Sequence, residues 1–392
     1  MNFKELEDKD LLRFIKLPLM ISKESIIDTF SRILKDATTS FNPKVVVIDS
    51  ITPILKVIGN DAEVRATLQN TLIEFSKLIN GLTVLIHEVV GSGDDLGDIG
   101  FVSDAVIFMS CKIVNNLVSR SIEIRKSRGN PARITKVGFT IEEGEGIRVF
   151  LPLLLKEIPA PDYTKPHKHP CKSLDRKIGP IYPGELIFIL YPTLTYIDYI
   201  LAYITLVAIV YRGRVLVISY IIPPQHIMYR ICRALERITA GVSITEELLS
   251  NYVRIEGLNP SVYLPEESLY EVLKLLREYN PNLIVFIGTP PLGIASTSTE
   301  VDYKDLIMNL IFYLRKMRVA SIIIDARDVE LIRSLSDMFI EVKNISRGRI
   351  FRVPHVLIEI MRRGEAPFTV TLKDFILCAK DIRKSVKGGI TK

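Results

Sequence analysis

The stretch NPKVVVIDS, residues 42–50, decides the fold: Val45 to Ile48 is a continuous apolar run of strand length, and it ends on an acidic and a hydroxyl residue. Downstream, residues 61–80 place Val64, Leu68, Leu72, Phe75 and Leu78 at helical spacing, with Gly81 positioned to close that helix at its C′ site. Strand-like runs follow at 83–86 and 105–109, separated by a polar Gly/Asp loop at 91–100, and two more strands are expected to flank RKSRGNPAR at 125–133. Apolar strand runs alternating with amphipathic helix runs are the pattern of a parallel sheet covered by helices.

The same alternation continues after residue 178. Strands are expected at 186–190, 215–219, 252–256, 283–287 and 321–324, and helices at 199–211, 265–279 and 305–315. Ile227, Ile231, Leu235 and Ile238 share a helix face, and Ser243 with Glu246 has capping-box spacing for the next helix. Between the halves lies KEIPAPDYTKPHKHPCKSLDRK, residues 156–177, rich in proline and charge and without an apolar period, which reads as a linker. His167, His169 and Cys171 within it are potential metal ligands. Exposed polar residues in a proline-rich linker look the same, and a closed zinc site takes four ligands.

Composition bounds the class. Hydrophobic residues make up 48% of the 392 and charged residues 24%, which excludes a disordered chain and allows two domains with their own cores. Lys and Arg outnumber Asp and Glu by 51 to 45, an excess too small to argue for nucleic acid. Cys111, Cys171, Cys232 and Cys378 are far apart and form no CxxC pair, which argues against a zinc ribbon or disulfide scaffold and for a reducing interior. The opening MNFKELEDKD lacks the basic and apolar blocks of a secretion signal, so a cytoplasmic protein is expected. Residues 186–211 form a long apolar run, but Pro192 and Asp198 interrupt it, and it divides into a buried strand and a buried helix better than it spans a bilayer. The absence of Trp, with Gln only at 69 and 225, is usage found in thermophile proteins.

The halves also resemble each other. NPKVVVIDS at 42–50 parallels NPNLIVFIGT at 280–289, FVSDAVI at 101–107 parallels SLSDMFI at 334–340, and KSRG at 126–129 parallels MRRG at 361–364. Three matches in one order imply a duplicated unit, with only the second copy carrying its beginning.

An apolar strand ending in Asp, with Ser50 and Thr52 behind it, is how P-loop ATPases hold the Mg²⁺ that bridges nucleotide phosphates. The same pattern also caps a helix or turn. VVVIDSIT, TVLIHE at 83–88, FVSDAVI at 101–107 and IRKSRG at 124–129, in that order, resemble the latter part of a KaiC-family ATPase domain of the RecA superfamily. Asn2 to Pro18 resembles that family's segment between the early helices and the Mg²⁺-binding strand. The resemblance implies tandem α/β units with mainly parallel sheets: a partial first unit over 1–155, the linker at 156–177, and a second unit over 178–392. It implies that Asp49, with Ser50, stands on the Mg²⁺ side of an ATP site. It also implies that Lys126 and Arg128, in the family's K-x-R-G signature, reach the γ-phosphate held by the neighbouring subunit of a ring. The bland alternative for RKSRG is a solvated basic turn.

No GxxxxGK[ST] phosphate loop is present. In the first unit the family places that loop upstream of Met1. In the second, IGPIYPGELIFILYPTLTYIDYILAY resembles the strand, loop and helix, with Gly184 in the approach turn, but YPTLTYID at 191–198 has replaced the glycines and lysine. Ile221 and Ile222 stand where the family has an acidic pair, the Mg²⁺-binding Asp falls at Ile287 or Gly288, and Met361 replaces the Lys of K-x-R-G, leaving Arg363. A degenerate second unit is expected, in a chain without ATPase activity by itself. The expected partners are further copies or a complete KaiC-like protein, in the hexameric ring that the resemblance implies, with ATP and Mg²⁺ bound only where a phosphate loop is supplied. A nucleic-acid-binding RecA paralogue using the tail KDIRKSVKGGITK, or an assembly scaffold, are the rival readings; no membrane partner is expected.

Overall fold

A computed structural model describes residues 3–16, 23–59, 62–89, 100, 102–114, 116–131, 136–167, 169, 171–191, 197–211, 213–239, 245–288, 303–345, 355–371, 374, 377 and 378. The loop at 91–99, Pro192 to Tyr196, Ser243 and the basic tail therefore lie outside the described residues. The chain divides into two compact units, one of Met1–Phe108 with Ile124–Arg133, the other of Met109–Glu123 with Ile134–Lys392. It is mixed α/β with a mostly parallel eight-stranded sheet flanked by helices, as expected of RecA-like units.

In the first unit α1 (Phe3–Asp8) and α2 (Lys23–Phe41) precede β1 (Val45–Asp49), α3 (Thr52–Ile58), α4 (Ala62–Ile79) and β2 (Leu82–Ile86). β1 and β2 pair in parallel, Val45 opposite Leu82 and Asp49 opposite Ile86. Val46, Ile48 and Leu85 face a core shared by Phe30 of α2, Ile54 of α3, and Leu68, Leu72 and Phe75 of α4. The expected face of α4 needs one correction: Leu78 is exposed and Ile79 is buried instead, because the apolar stripe drifts by one residue in the last turn. The Val64 side chain lies outside the described ones. Asn80, not Gly81, takes the left-handed conformation that ends the helix, at φ 43°. Gly81 serves a different need, since a Cβ there would lie 2.1 Å from the Lys44 carbonyl that accepts the Leu82 N–H.

β3 (Ala105–Val114), β4 (Leu117–Ser127), β5 (Lys136–Glu142) and β6 (Gly146–Phe150) form a four-stranded sheet in chain order. The parts of β3 and β4 nearest their connecting turn group with β5 and β6 in the second unit, where Phe150 packs edge-on to Tyr270 and the Arg148 guanidinium lies over the same ring.

The second unit continues with α5 (Lys172–Ile178), β7 (Leu186–Leu190), α6 (Ile197–Tyr211), β8 (Val215–Ser219), α7 (Pro224–Thr239), α8 (Glu246–Ser250), β9 (Val253–Gly257) and α9 (Pro265–Tyr279). Then come β10 (Leu283–Ile287), α10 (Tyr303–Lys316), β11 (Ala320–Asp325), α11 (Glu330–Leu335), β12 (Met338–Ile345), β13 (His355–Arg362) and β14 (Phe368–Thr371). The sheet order is β14-β13-β12-β7-β11-β10-β8-β9, parallel from β12 to β9 and antiparallel at β13 and β14. α6 and α7 cover one face, α9 and α10 the other. The apolar run at 186–211 is thus a fully interior strand and the helix after it, and among the described residues no helix is long and apolar enough to cross a membrane. α9 starts where Pro265 needs no N–H partner and the Glu267 carboxylate accepts the Leu264 N–H. At α8 the cap is Thr245, whose hydroxyl accepts the Leu248 N–H.

The internal repeat survives as backbone geometry. Asn42 and Asn280 both take the left-handed conformation before their strands, at φ 50° and 47°. Gly129 and Gly364 match at φ 83° and 84°. The Arg128 N–H donates to the Asp104 carbonyl as the Arg363 N–H does to that of Asp337, at 2.9 and 3.0 Å.

Part of the stretch expected as a linker is built into the second unit: residues 172–178 are helical, Leu174 is buried, and His167 bridges to Ile181. Buried His169 shares a 2.7 Å hydrogen bond with the Tyr203 hydroxyl, and burial pushes its imidazole below the usual histidine range. Against the expectation from cysteine spacing, Cys171 and Cys378 form a disulfide across 207 residues, with Cα atoms 5.4 Å apart. Spacing along the chain does not report a proximity made by the sheet. Non-reducing peptide mapping is expected to recover this crosslink, and Cys171→Ser with Cys378→Ser to lower stability by about 2–4 kcal/mol in denaturant titration, as for loss of a long-loop disulfide.

A buried ionic network ties the entrance of β7 to its neighbours. The Asp337 carboxylate accepts from the Leu186 N–H at 2.9 Å and from Arg315 at 2.8 Å, while Glu185 accepts the Tyr182 N–H and sits 3.4 Å from Arg362. Burial pushes the Glu185 carboxyl up to about 7 despite the opposing pull of Arg362. Between its ordinary 4.5 and that value the folded chain keeps a proton that the unfolded chain releases, so this group's contribution is full at low pH and is lost as pH rises through 7. Calorimetry of wild type and Glu185→Gln from pH 5 to 8 is expected to show this part of the decline, on the order of 2 kcal/mol, only in wild type.

Candidate functional site

Parallel strand β1 carries Asp49 to its carboxyl end, the end at which open α/β sheets bind ligands. Asp49 is the last residue of β1 and is exposed; Ser50 begins the turn into α3. That turn is held by the Ile51 N–H donating to the Ile86 carbonyl at 2.9 Å and by buried Thr52, whose hydroxyl accepts the Glu88 N–H at 2.7 Å. The end of β1 is therefore locked to the end of β2, and the Asp49 carboxylate projects from a fixed position.

Lys126 and Arg128 lie at the end of β4, in the other sheet. Both are tied to the approach to β3. The Lys126 ammonium donates to the Gly100 carbonyl at 2.9 Å, and the exposed Arg128 guanidinium stands 3.4 Å from the Asp104 carboxylate. Gly129, left-handed, turns the chain directly after them. The structure thus groups the two basic residues at one turn and holds Asp49 on a different sheet. Asp104 is a partner that motif reading overlooked, although it stands inside the quoted FVSDAVI stretch.

At the matching end of the second unit the chemistry is different. The Tyr191 N–H donates to the Asp325 carbonyl at 2.7 Å. Asp198, in the first turn of α6, is 2.6 Å from the Arg230 guanidinium of α7, so the helix end that a phosphate would use carries the chain's own ion pair. Ile221 lies over Gly288: a Cβ on that glycine would meet the isoleucine side chain at 3.5 Å. These residues do not fit a Mg²⁺-nucleotide. Asp325, buried at the end of β11, accepts the Arg327 N–H at 2.9 Å. It was missed in the sequence although its signal, an apolar strand run ending in Asp, is that of VVVID.

The family described as "ATPase: KaiC" matches residues 1–153. The circadian clock protein KaiC2 of Synechocystis sp. is 25% identical over 295 residues, which cover 74% of this chain and 50% of that protein. The chain spans about half the length of this curated relative. With the ordered motifs, the matching backbone geometry of the two halves and the mostly parallel sheet, these findings make residues 1–153 similar to the KaiC ATPase family and the chain similar to KaiC2.

Proposed function

We propose that this chain contributes half of a nucleotide site to an assembly and does not hydrolyse ATP alone. The reading rests above all on the contrast between the two units. The first offers an exposed carboxylate at a strand end and two basic residues at a turn of another sheet; the second has Asp198–Arg230 and Ile221 where phosphate and metal would sit. Asp49, with Ser50 beside it, fits the Mg²⁺ side, since an exposed carboxylate on a locked turn is a ready oxygen ligand. ATP and its Mg²⁺ would be held by a phosphate loop on another polypeptide, either in a homo- or hetero-oligomeric ring or on a complete KaiC-like partner.

Lys126 and Arg128 would act in trans. A cation fixed at the terminal phosphate offsets charge that spreads over its oxygens as the bond to the leaving group breaks, and the Arg fork donates two aligned hydrogen bonds. Asp104 orients the Arg128 side chain, and its backbone carbonyl fixes the turn. Lys126 would exchange the Gly100 carbonyl for the phosphate, a neutral acceptor for a charged one.

The purified chain alone is expected to show no ATP hydrolysis above background; turnover that survives purification and disappears in Asp49→Ala would overturn this. Added to a complete KaiC-like ATPase, wild type is expected to raise hydrolysis. Arg128→Ala is expected to remove most of that stimulation, finger-type arginines contributing about 10³-fold or more, with melting temperature nearly unchanged because the side chain is exposed. Equal stimulation by both proteins would sink the trans-acting role.

A further inference from the structure

The Cys171–Cys378 crosslink does not lie among apolar groups alone. Cys171 precedes α5 and Cys378 follows β14, and both are buried in one core with Leu174 and Ile178 of α5, Tyr203 of α6 and Val370 of β14. Within that core the Tyr203 hydroxyl stands 3.9 Å from the Cys378 Sγ and 2.7 Å from Nδ1 of buried His169. A polar chain of sulfur, hydroxyl and imidazole therefore runs beside the crosslink.

A disulfide has little use for such a chain. Its sulfur carries no hydrogen and is at most a weak acceptor, and an apolar side chain in place of Tyr203 would pack against it without burying a hydroxyl and an imidazole. A thiol differs: the Cys378 S–H would donate to Tyr203 Oη and the Tyr203 O–H to His169 Nδ1, so each hydrogen finds an acceptor. Burial pushes the His169 imidazole below the usual histidine range, so near pH 7 it is neutral and, in the tautomer that leaves Nδ1 bare, accepts there. The remaining neighbours in this core are apolar, and a free thiol packs among them as a small hydrophobe. The reduced pair thus has as well-formed a place as the oxidised one.

We propose that Cys171 and Cys378 form a reversible thiol–disulfide switch that fastens and releases the segment after β14, with Tyr203 and His169 receiving the Cys378 thiol. In reduction, one thiolate of an external dithiol attacks the Cys171 sulfur; the Cys171–Cys378 bond breaks, and its electron pair leaves on Cys378, which takes up the proton the attacking thiol released. The second thiolate of the reductant then displaces Cys171, which is protonated in turn, and the reductant closes to its own disulfide. Two electrons and two protons pass to the pair. Oxidation by a small-molecule disulfide runs the same steps backwards, the Cys378 proton leaving through Tyr203 to His169. Besides the crosslink, Lys177 of α5 holds Asp374 at 3.1 Å, a partly exposed and therefore weak ion pair, and Asp374 accepts from Thr371 locally. β14 itself is held by its pairing with β13, from Leu357 opposite Thr371 to Ile360 opposite Phe368. Reduction accordingly loosens residues 374–378 and spares the sheet. The switch lies within the second unit and stands independently of the proposed nucleotide site.

The test equilibrates the full chain in mixtures of reduced and oxidised dithiothreitol, approached from both directions, then quenches with acid, alkylates and maps the peptides holding Cys171 and Cys378. A single reversible transition is expected, with native circular dichroism at both ends and amide-exchange protection at Leu377 and Cys378 lost in the reduced chain. Cys171→Ser, which cannot form the crosslink, is expected to show that lost protection in every mixture. Tyr203→Phe removes the acceptor of the Cys378 thiol, while its lost bond to His169 is common to both forms, so it is expected to shift the equilibrium toward the disulfide by about 2- to 10-fold. A crosslink that survives reduced dithiothreitol alone, or a reduced chain without native circular dichroism, overturns the switch and leaves a structural disulfide; these two readings need only wild type and hold even where Tyr203→Phe does not fold. Unchanged protection at Leu377 and Cys378 on reduction overturns the release of the segment, and an equilibrium that folded Tyr203→Phe leaves unmoved overturns the role of Tyr203 and His169.

Discussion

The second unit depends on one strand having partners along both edges. β7 is the point from which the order of its sheet runs outward, with β11 on one side and β12 on the other. Its first residue donates to Asp337, which also receives Arg315 of α10, so one carboxylate joins two strands and a helix. Each of these charges is compensated within the network. Such an arrangement specifies register more than it adds net stability, since buried ion pairs barely repay their desolvation.

The contrast between the units follows from the same constraint. Where β7 and β8 are present, every strand from β12 to β8 is interior and strands such as β8 and β11 are buried along their whole length. Where no counterpart stands among the described residues, β1 and β2 keep one packed face and one wet one, and β3 begins a different sheet. An apolar face of that kind is stable in water only while small and acquires value when covered.

In the proposed reading the second unit keeps a fold without its chemistry. Phosphate binding needs backbone amides and a cation aimed at one point, whereas strand and helix packing needs only volume and hydrophobicity. Isoleucine at 221 and an Asp198–Arg230 pair are compatible with the packing and incompatible with the ligand.

The amino-acid sequence by itself determined the alternation of strands and helices, because burial on both faces writes itself as unbroken apolar runs, as at 186–190 and 283–287. It also showed the repeat, whose Asn and Gly positions carry backbone angles that few other residues adopt, and the absence of a phosphate loop, which is a matter of residue types. Tertiary structure alone decided which strands are neighbours, that Cys171 meets Cys378, and that Asp104 holds the turn carrying Lys126 and Arg128. It alone exposed Val45 and Val47, whose sequence is that of a fully buried strand. Local pattern encodes what a segment can bury; only the assembled sheet determines what there is to bury it against.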